Sequence, residues 1–501
     1  MPEITQSGFS RVWLILNGAN PANVPTYQGL MKIGDPSATK GSITRVEIPD
    51  PGRYDNFIEV AGIKGKVERP KFPLTGRYPM DVSTLLKLAN QGCPLDVQVH
   101  LGKCNDPRDF NKGWQKIMVF EQARITDYKI SNFGALGSDD RKLTDEEASL
   151  ESKNQYEVTP LSFEEEATVA VTREIISIDV CDQVGCGDCG IQSDGCQRVL
   201  ATQVASGATP GTPPAVIYSS DGGATWGSVN ISSLLGNESP SDSECLGGNF
   251  IVTSLTDESW HYAAINDILL GTPTWRQVNA GIVFGKGPNA TVSAGPQNTW
   301  MVGNGGYIYF IADPTVGAMV QDAGVNTTQN LNDVDALDEF NVVAVGASNV
   351  VEFTDNGGDT WRLITGPLAG ATLAAVKMLD RGSWLVGGTA AGGLAAVLYY
   401  TNDFGVTWTS VPLPISGAKV TDIKFGTKSV GYLSLSVTGS YPRILRTLDG
   451  GHSWYVLPEG AGAFPNTSAQ RINQVAVCAD PNIVWGGGLG VATDGIIVKA
   501  S

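Results

Sequence analysis

The chain has 501 residues, 60 of them glycine, with 42% hydrophobic and 17% charged residues and a formal charge of −17. That describes a turn-rich β protein with room for two cores, and it excludes collagen-like, disordered and helically membrane-spanning classes, since no apolar run reaches the ~18 residues a span needs. Residues 1–180 carry 25 acidic and 21 basic residues and residues 181–501 carry 26 and 13, so the second part lacks the clustered Lys and Arg that gripping nucleic-acid phosphates requires.

Residues 1–173 show no long period and read as an α+β domain. Strands are expected at Arg11 to Leu16, Ile43 to Ile48, Phe57 to Ile63, Leu95 to His100, Lys116 to Phe120, Arg124 to Ser131 and Tyr156 to Phe163. Asp81 is placed to N-cap one helix over Val82 to Ala89, with an apolar face of Val82, Leu85, Leu86 and Leu88 and a stop at Gly92. Gly134 to Asn154, charged and glycine-containing, reads as a long loop or arm. The acidic run Glu164-Glu165-Glu166 could bind a cation, but such runs are usually solvated strand ends.

This order of elements, with Ala123 to Ser131 and Glu157 to Glu164 as its final strand pair, resembles the tail-tube proteins of long-tailed bacteriophages over roughly residues 10 to 170. The resemblance implies a β-sandwich or barrel domain that forms hexameric rings. Inner strands of all subunits would close a common barrel, and stacked rings would conduct DNA without binding it specifically.

Four cysteines, Cys181, Cys186, Cys189 and Cys196, crowd the junction. Their C-x2-C step resembles half a zinc site, and four thiolates suit tetrahedral zinc. Two disulfides within the cluster, or free thiols, are equally open readings. Cys93, Cys104, Cys245 and Cys478 have no partner visible in the sequence.

From residue 174 onward a period emerges. Ser219-Ser-Asp221-Gly-Gly223-Ala-Thr225-Trp226 recurs as Thr354-Asp-Asn356-Gly-Gly358-Asp-Thr360-Trp361, as Thr401-Asn-Asp403-Phe-Gly405-Val-Thr407-Trp408, and as Thr447-Leu-Asp449-Gly-Gly451-His-Ser453-Trp454. The tryptophans are spaced by 135, 47 and 46 residues, so the first gap should hold two worn copies, one ending at Thr274-Trp275 and one near Ile311 to Pro314. The motif resembles the Asp-box, or BNR, repeat of sialidases, sortilin-type receptors and photosystem assembly factors. In that family the box is the turn between a blade's third and fourth strands: a short Asp or Asn caps backbone N–H groups, Gly accepts positive φ, and Trp packs between blades.

The segment from Asp333 to Ile364 divides into four short strands, which is one blade. Six repeats end near Gly460, and the tail adds only three strands. Glu174 to Val180 is therefore expected to supply the missing outer strand and close seven blades over residues 174–501.

Sialidase chemistry needs an arginine triad, an acid/base carboxylate, a Tyr–Glu pair and an early Phe/Tyr-Arg-Ile-Pro signature. Tyr441-Pro442-Arg443-Ile444 has those letters in the wrong order and in the sixth repeat, where a strand entry is expected. With only His100, His261 and His452, a Ser-His-Asp triad or His-rich metal site has little material, and no phosphate-binding Walker loop is present. Trp260-His261-Tyr262 is either blade packing or a sugar-stacking cluster.

The resulting expectation is a non-enzymatic, cofactor-free virion protein made in the host cytoplasm, since the N-terminus lacks a signal-peptide layout. It would be a tail-tube subunit displaying its propeller outside, for contact with host glycans and other tail proteins. The alternatives are a capsid-decorating or other surface-binding propeller, and a glycan-active enzyme or assembly factor.

Overall fold

A computed structural model of the chain describes residues 10–16, 27–33, 47–49, 57–59, 71–77, 95–102, 114–131 and most of 145–165, then most of 173–500 apart from 182–195, 205–213, 459–469 and shorter gaps. Two compact units result, one from the chain up to Pro160 and one beginning at Leu161. The expected helix at Val82 to Ala89 lies outside the described residues.

The first unit contains β1 (Ser10–Leu16), β2 (Tyr27–Ile33), β3 (Glu47–Pro49), β4 (Phe57–Glu59), β5 (Lys71–Arg77), β6 (Leu95–Gly102), β7 (Trp114–Ser131), β8 (Asp145–Glu151) and β9 (Asn154–Val158). The pairings β6-β1-β2-β5-β8-β7 return to β6 and close a cycle, with β9 added alongside β7 and with β3–β4 a separate hairpin. The two strands expected at Lys116 to Phe120 and Arg124 to Ser131 are one 18-residue strand. Its first half lies between β6 and β9, and its second half pairs with β8. Gln122, at a φ of 50°, marks the change of partner. Part of the expected Gly134 to Asn154 loop is instead strand β8, whose acidic residues mask a period-two pattern that buries Ala148 and Leu150. β2 and β5 were not anticipated. In β5, Pro73 and Gly76 read as strand breakers.

The second unit is a β-propeller of seven four-stranded antiparallel sheets. Blade 1 is Ile175–Val180, Val199–Gln203, Ala215–Ser219 and Gly227–Asn230; blade 2 is Pro240–Leu246, Asn249–Ser254, Ser259–Ala264 and Arg276–Val278; blade 3 is Pro288–Ser293, Thr299–Gly303, Tyr307–Ile311 and Met319–Ala323. Blade 4 is Leu331–Ala336, Val342–Gly346, Val350–Thr354 and Arg362–Thr365; blade 5 is Thr372–Met378, Trp384–Thr389, Ala396–Thr401 and Thr409–Ser410; blade 6 is Lys419–Phe425, Gly431–Ser436, Arg443–Thr447 and Tyr455–Val456. The first strand of each blade lines the centre, and these seven neighbour one another in a closed ring.

Blade 7 corrects the expected closure. Its strands Arg471–Val477, Val484–Leu489 and Gly495–Ala500 receive their outer partner from Phe163–Glu165, with Phe163 opposite Ala500 and Glu165 opposite Val498. Ile175–Val180 is the inner strand of blade 1, paired with Val199–Gln203. The ring still closes by joining the two ends of the unit, but the outer strand comes from about ten residues earlier, and the propeller begins before residue 174.

Apolar side chains fill much of the space between blades. Trp485, Ile497, Ile175 and Ile217 fill the interface of blades 7 and 1, and Trp300, Val302, Val342 and Trp361 that of blades 3 and 4. Blade interiors such as Val342–Gly346 are buried on both faces, so they read as continuous apolar runs rather than alternating ones.

Candidate functional site: the propeller channel and the aspartate turns

All four repeated turns adopt one geometry. In blade 5, the Thr401 hydroxyl accepts from the Gly405 N–H at 3.0 Å, while Asp403 Oδ1 accepts from the Thr407 N–H at 2.8 Å and Asp403 Oδ2 from the Thr407 hydroxyl at 2.6 Å. Ser219, Asp221, Gly223 and Thr225 repeat these bonds in blade 1, and Thr447, Asp449, Gly451 and Ser453 in blade 6. Asn356 substitutes in blade 4, its Oδ1 accepting from the Thr360 N–H at 3.1 Å and its amide donating to the Thr360 hydroxyl. The hydrogen bonds from Thr225 hold the Asp221 carboxyl below its ordinary range.

The second glycine of the turn is needed twice over. Gly358 has a φ of +86° and a Cβ there would stand 2.8 Å from the Trp300 ring, while at Gly451 (φ +89°) it would stand 2.3 Å from Leu385. The closing tryptophans reach across blades: Trp226 meets Trp485 edge-on at 5.6 Å and Trp361 meets Trp300 likewise at 5.6 Å. Trp408 packs with Trp384 and Phe353 between blades 4 and 5, and Trp454 fills the core of blades 5 and 6. Of the worn copies, Trp275 stands just before the fourth strand of blade 2, in the position of these tryptophans. In blade 3, the turn follows Tyr307–Ile311. Replacing Asp403 with Ala strips three acceptor contacts from one turn and should cost about 1–2 kcal/mol, as loss of a helix cap does. In thermal denaturation that is a fall of about 2–5 °C in midpoint.

The channel carries a device that the sequence reading missed. Each of the seven inner strands slips register by one residue against its second strand, bulging out Ile176, Ser241, Asn289, Asn332, Ala374, Thr421 and Asn473. Four of the five polar bulged residues reach the next blade, whereas Ser241 bonds Thr253 within its own blade. Asn289 donates to the Leu331 carbonyl, Asn332 to that of Leu373, Thr421 to that of Ile472 and Asn473 to that of Ile175, at 2.7–2.8 Å. The residue after the bulge accepts from the next blade at four places: Asp242 from Thr291 N–H, Asp333 from Val376 N–H, Asp422 from Val475 N–H and Gln474 from Ile178 N–H, at 2.7–2.9 Å. The pairs act as staples from one inner strand to the next.

These staples concentrate charge. Burial pushes Asp242 up to about 6, Glu244 up to about 7 and Asp333 up to about 8, and raises Asp179 and Asp422 as well. Burial also opposes the Lys424 ammonium, but Asp422, Asp333, Glu244 and Asp335 together hold it above the ordinary lysine range. Asp335 is paired with Lys377 at 2.8 Å and accepts from the Met378 N–H. The carboxylates are thus occupied by backbone N–H groups and by a central cation, an arrangement suited to joining strands. Among the described residues no group of three or more His, Cys, Asp or Glu side chains is placed to hold a metal.

The cysteine readings are corrected. Cys181 is bonded to Cys245 and Cys196 to Cys478, with Cα separations of 5.6 and 5.7 Å. A disulfide within the junction cluster, or a four-thiolate zinc site there, is therefore excluded for Cys181 and Cys196, while Cys186 and Cys189 lie outside the described residues. Partners are set by blade adjacency: Cys181 follows the inner strand of blade 1 beside that of blade 2, and Cys196 meets the end of the inner strand of blade 7. Trp260, His261 and Tyr262 are all buried in blade 2, which is the packing reading rather than the sugar-stacking one. Arg443 begins a strand of blade 6, as expected for a strand entry. Glu164 and Glu165 lie in the closing outer strand, and Glu166 lies outside the described residues.

No family model matches the chain, and no curated protein matches it. Among solved structures it is similar to YCF48 from Cyanidioschyzon merolae, at 14% identity with a TM-score of 0.48, over 68% of this chain and 98% of that one. It is also similar to a YCF48 bound to D1 peptide (14% identity, TM-score 0.46, 68% and 97% covered) and to U3-55K (7% identity, TM-score 0.45, 68% and 98% covered).

Proposed function

We propose that the chain is a structural subunit of a virion tail tube, whose first unit associates into stacked rings and which displays an Asp-box propeller on the outside. The observation that carries this reading is the long hairpin of the first unit. Its 18-residue strand, about 60 Å at 3.3 Å per residue, runs against β8 and β9, and β9 has no partner on its outer edge among the described residues. An open edge beside a long strand is a template for pairing with a neighbouring copy, whereas the propeller has consumed its own ends in blade 7 and needs no partner. The role requires no catalysis, and the propeller's acidity would limit sticking between particles.

A second reading, a propeller that docks onto a surface, draws on blades 4 and 5. There Phe340, Phe404 and Val406 are exposed at the end of the blades that carries the aspartate turns.

Negative-stain electron microscopy of the full-length protein tests the first reading. Six-fold rings or tubes bearing external knobs are expected. Dispersed two-lobed monomers at every concentration and salt would sink it and turn attention to glycan binding by blades 4 and 5.

A further inference from the structure

The interface of blades 3 and 4 differs from its neighbours in charge. Two residues before the first hydroxyl of the aspartate turn, the third strand points a side chain at the preceding blade. That residue is Ile217 in blade 1, Tyr399 in blade 5 and Leu445 in blade 6, each within an inter-blade apolar core. In blade 4 it is Glu352, wholly buried. From the facing side, Ile364 serves the interface of blades 4 and 5 and Val411 that of blades 5 and 6, but the outer strand of blade 3 brings the buried Asp322 against Glu352.

Asn326 stands between the two acids. Its amide donates to Asp322 Oδ2 at 2.7 Å and to the Trp361 carbonyl at 3.3 Å, and it turns toward Glu352 as well. Asp322 and Asn326 are the groups that act on Glu352, and among the described residues no Lys, Arg or His side chain joins them. Burial, then the Asp322 charge, pushes Glu352 up to about 8. Two buried carboxylates that share one amide donor repel each other when both are ionised, and a proton on Glu352 removes that repulsion.

The rest of the ring is fastened otherwise. Blades 7 and 1 are joined by Cys196–Cys478 and blades 1 and 2 by Cys181–Cys245, while blades 5 and 6 share an apolar core. Blades 3 and 4 have an apolar core too, but the two acids interrupt the contact beside it. We propose that this interface is a pH-operated joint: un-ionised Glu352 holds blade 4 against blade 3, and loss of its proton lets these two blades part locally while the disulfide-bonded blades stay together. Opening brings water to Glu352, so its carboxyl ionises in the open form and stays protonated in the closed one. Each opening therefore releases one proton, and the open population should grow about tenfold per pH unit between about pH 5 and about pH 8. Above that range both forms are ionised and the growth stops.

Hydrogen exchange of the full-length protein, read by mass spectrometry and corrected for the intrinsic pH dependence of amide exchange, measures such opening strand by strand. Gly431–Ser436 of blade 6 is the internal reference, because it shares any loosening that the channel acids cause in the whole propeller. Relative to it, Met319–Ala323 and Val350–Thr354 should lose about a hundredfold more protection between about pH 6 and about pH 8. Glu352→Gln, which keeps the shape and cannot ionise, should abolish that excess. Glu352→Leu, the residue type of blade 6, should abolish it too, so that a defect peculiar to one variant does not decide the outcome. An excess that persists in both variants, or no excess in the wild type, overturns the proposal.

Discussion

Replacing Cys196 and Cys478 with serine in the full-length chain should lower the unfolding free energy of the propeller by about 5 kcal/mol, on the chain-entropy account of disulfides. The bond joins residues 282 apart in sequence, so it restricts nearly the whole unfolded propeller. Cys181–Cys245 spans only 64, and its loss should cost about 4 kcal/mol. Together the two bonds fasten blade 1 to blade 7 on one side and to blade 2 on the other, around the place where the ring is closed by non-covalent pairing. The remaining links at that seam are weaker. Arg471 is paired with Glu174 at 2.6 Å, but its side chain is 48% exposed, and such pairs contribute well under 1 kcal/mol after solvent screening. Asn473 donates to Glu174 and to the Ile175 carbonyl, and these bonds add about 1 kcal/mol each. Denaturant unfolding with and without reductant measures the effect. The reduced wild type should unfold at a lower midpoint, with Cys196→Ser/Cys478→Ser accounting for the larger share. Equal losses for the two pairs would mean that each bond acts locally and that ring closure is not what it stabilises.

How much of this was readable from the chain depends on how local each constraint is. The aspartate turn was legible because its chemistry is confined to eight residues: a hydroxyl, a carboxylate or amide, a glycine at positive φ and a tryptophan cannot be exchanged without losing the bonds seen at Asp221, Asn356, Asp403 and Asp449. Phe404 shows the tolerance of the motif. It takes a φ of 61° where the other turns have glycine, its ring resting on Phe353 and Trp384.

Ring closure was misread for the opposite reason. Ile175–Val180 has the length and apolar character of any propeller strand, whereas Phe163–Glu165 is three residues, mostly charged, and its partner lies more than 300 positions away. The cysteine pairing was equally non-local. The channel staples did leave a signal: a polar pair behind one apolar or proline residue, as in Pro240-Ser-Asp242, Leu331-Asn-Asp333, Val420-Thr-Asp422 and Ile472-Asn-Gln474. Aligning the inner strands, rather than the turns, exposes it. In a single repeat, such an aspartate looks like an ordinary surface residue.

Lys424→Met should destabilise the propeller by about 3 kcal/mol at pH 8, the cost of leaving buried carboxylates without their counter-charge. Methionine keeps the length and most of the volume of the lysine stem, so the loss should come from charge rather than from a cavity, and pH separates the two. In the wild type, Asp242, Glu244 and Asp333 titrate near 6, 7 and 8 in the folded channel, against about 4 in an unfolded chain. The native state therefore holds protons that the unfolded state has released. Stability must then fall as pH rises from about 4 to about 8. Removing Lys424 takes away the charge that lowers all three of these values, so it should push them higher and steepen that fall. Unfolding midpoints of wild type and variant should draw together near pH 5, where Asp242, Glu244 and Asp333 are protonated in both, and separate toward pH 8. Lys424→Arg should track the wild type across the range. A loss of the same size at pH 5 and pH 8 would mean that Lys424 contributes by packing, and that the staple carboxylates are satisfied by their backbone N–H donors without it.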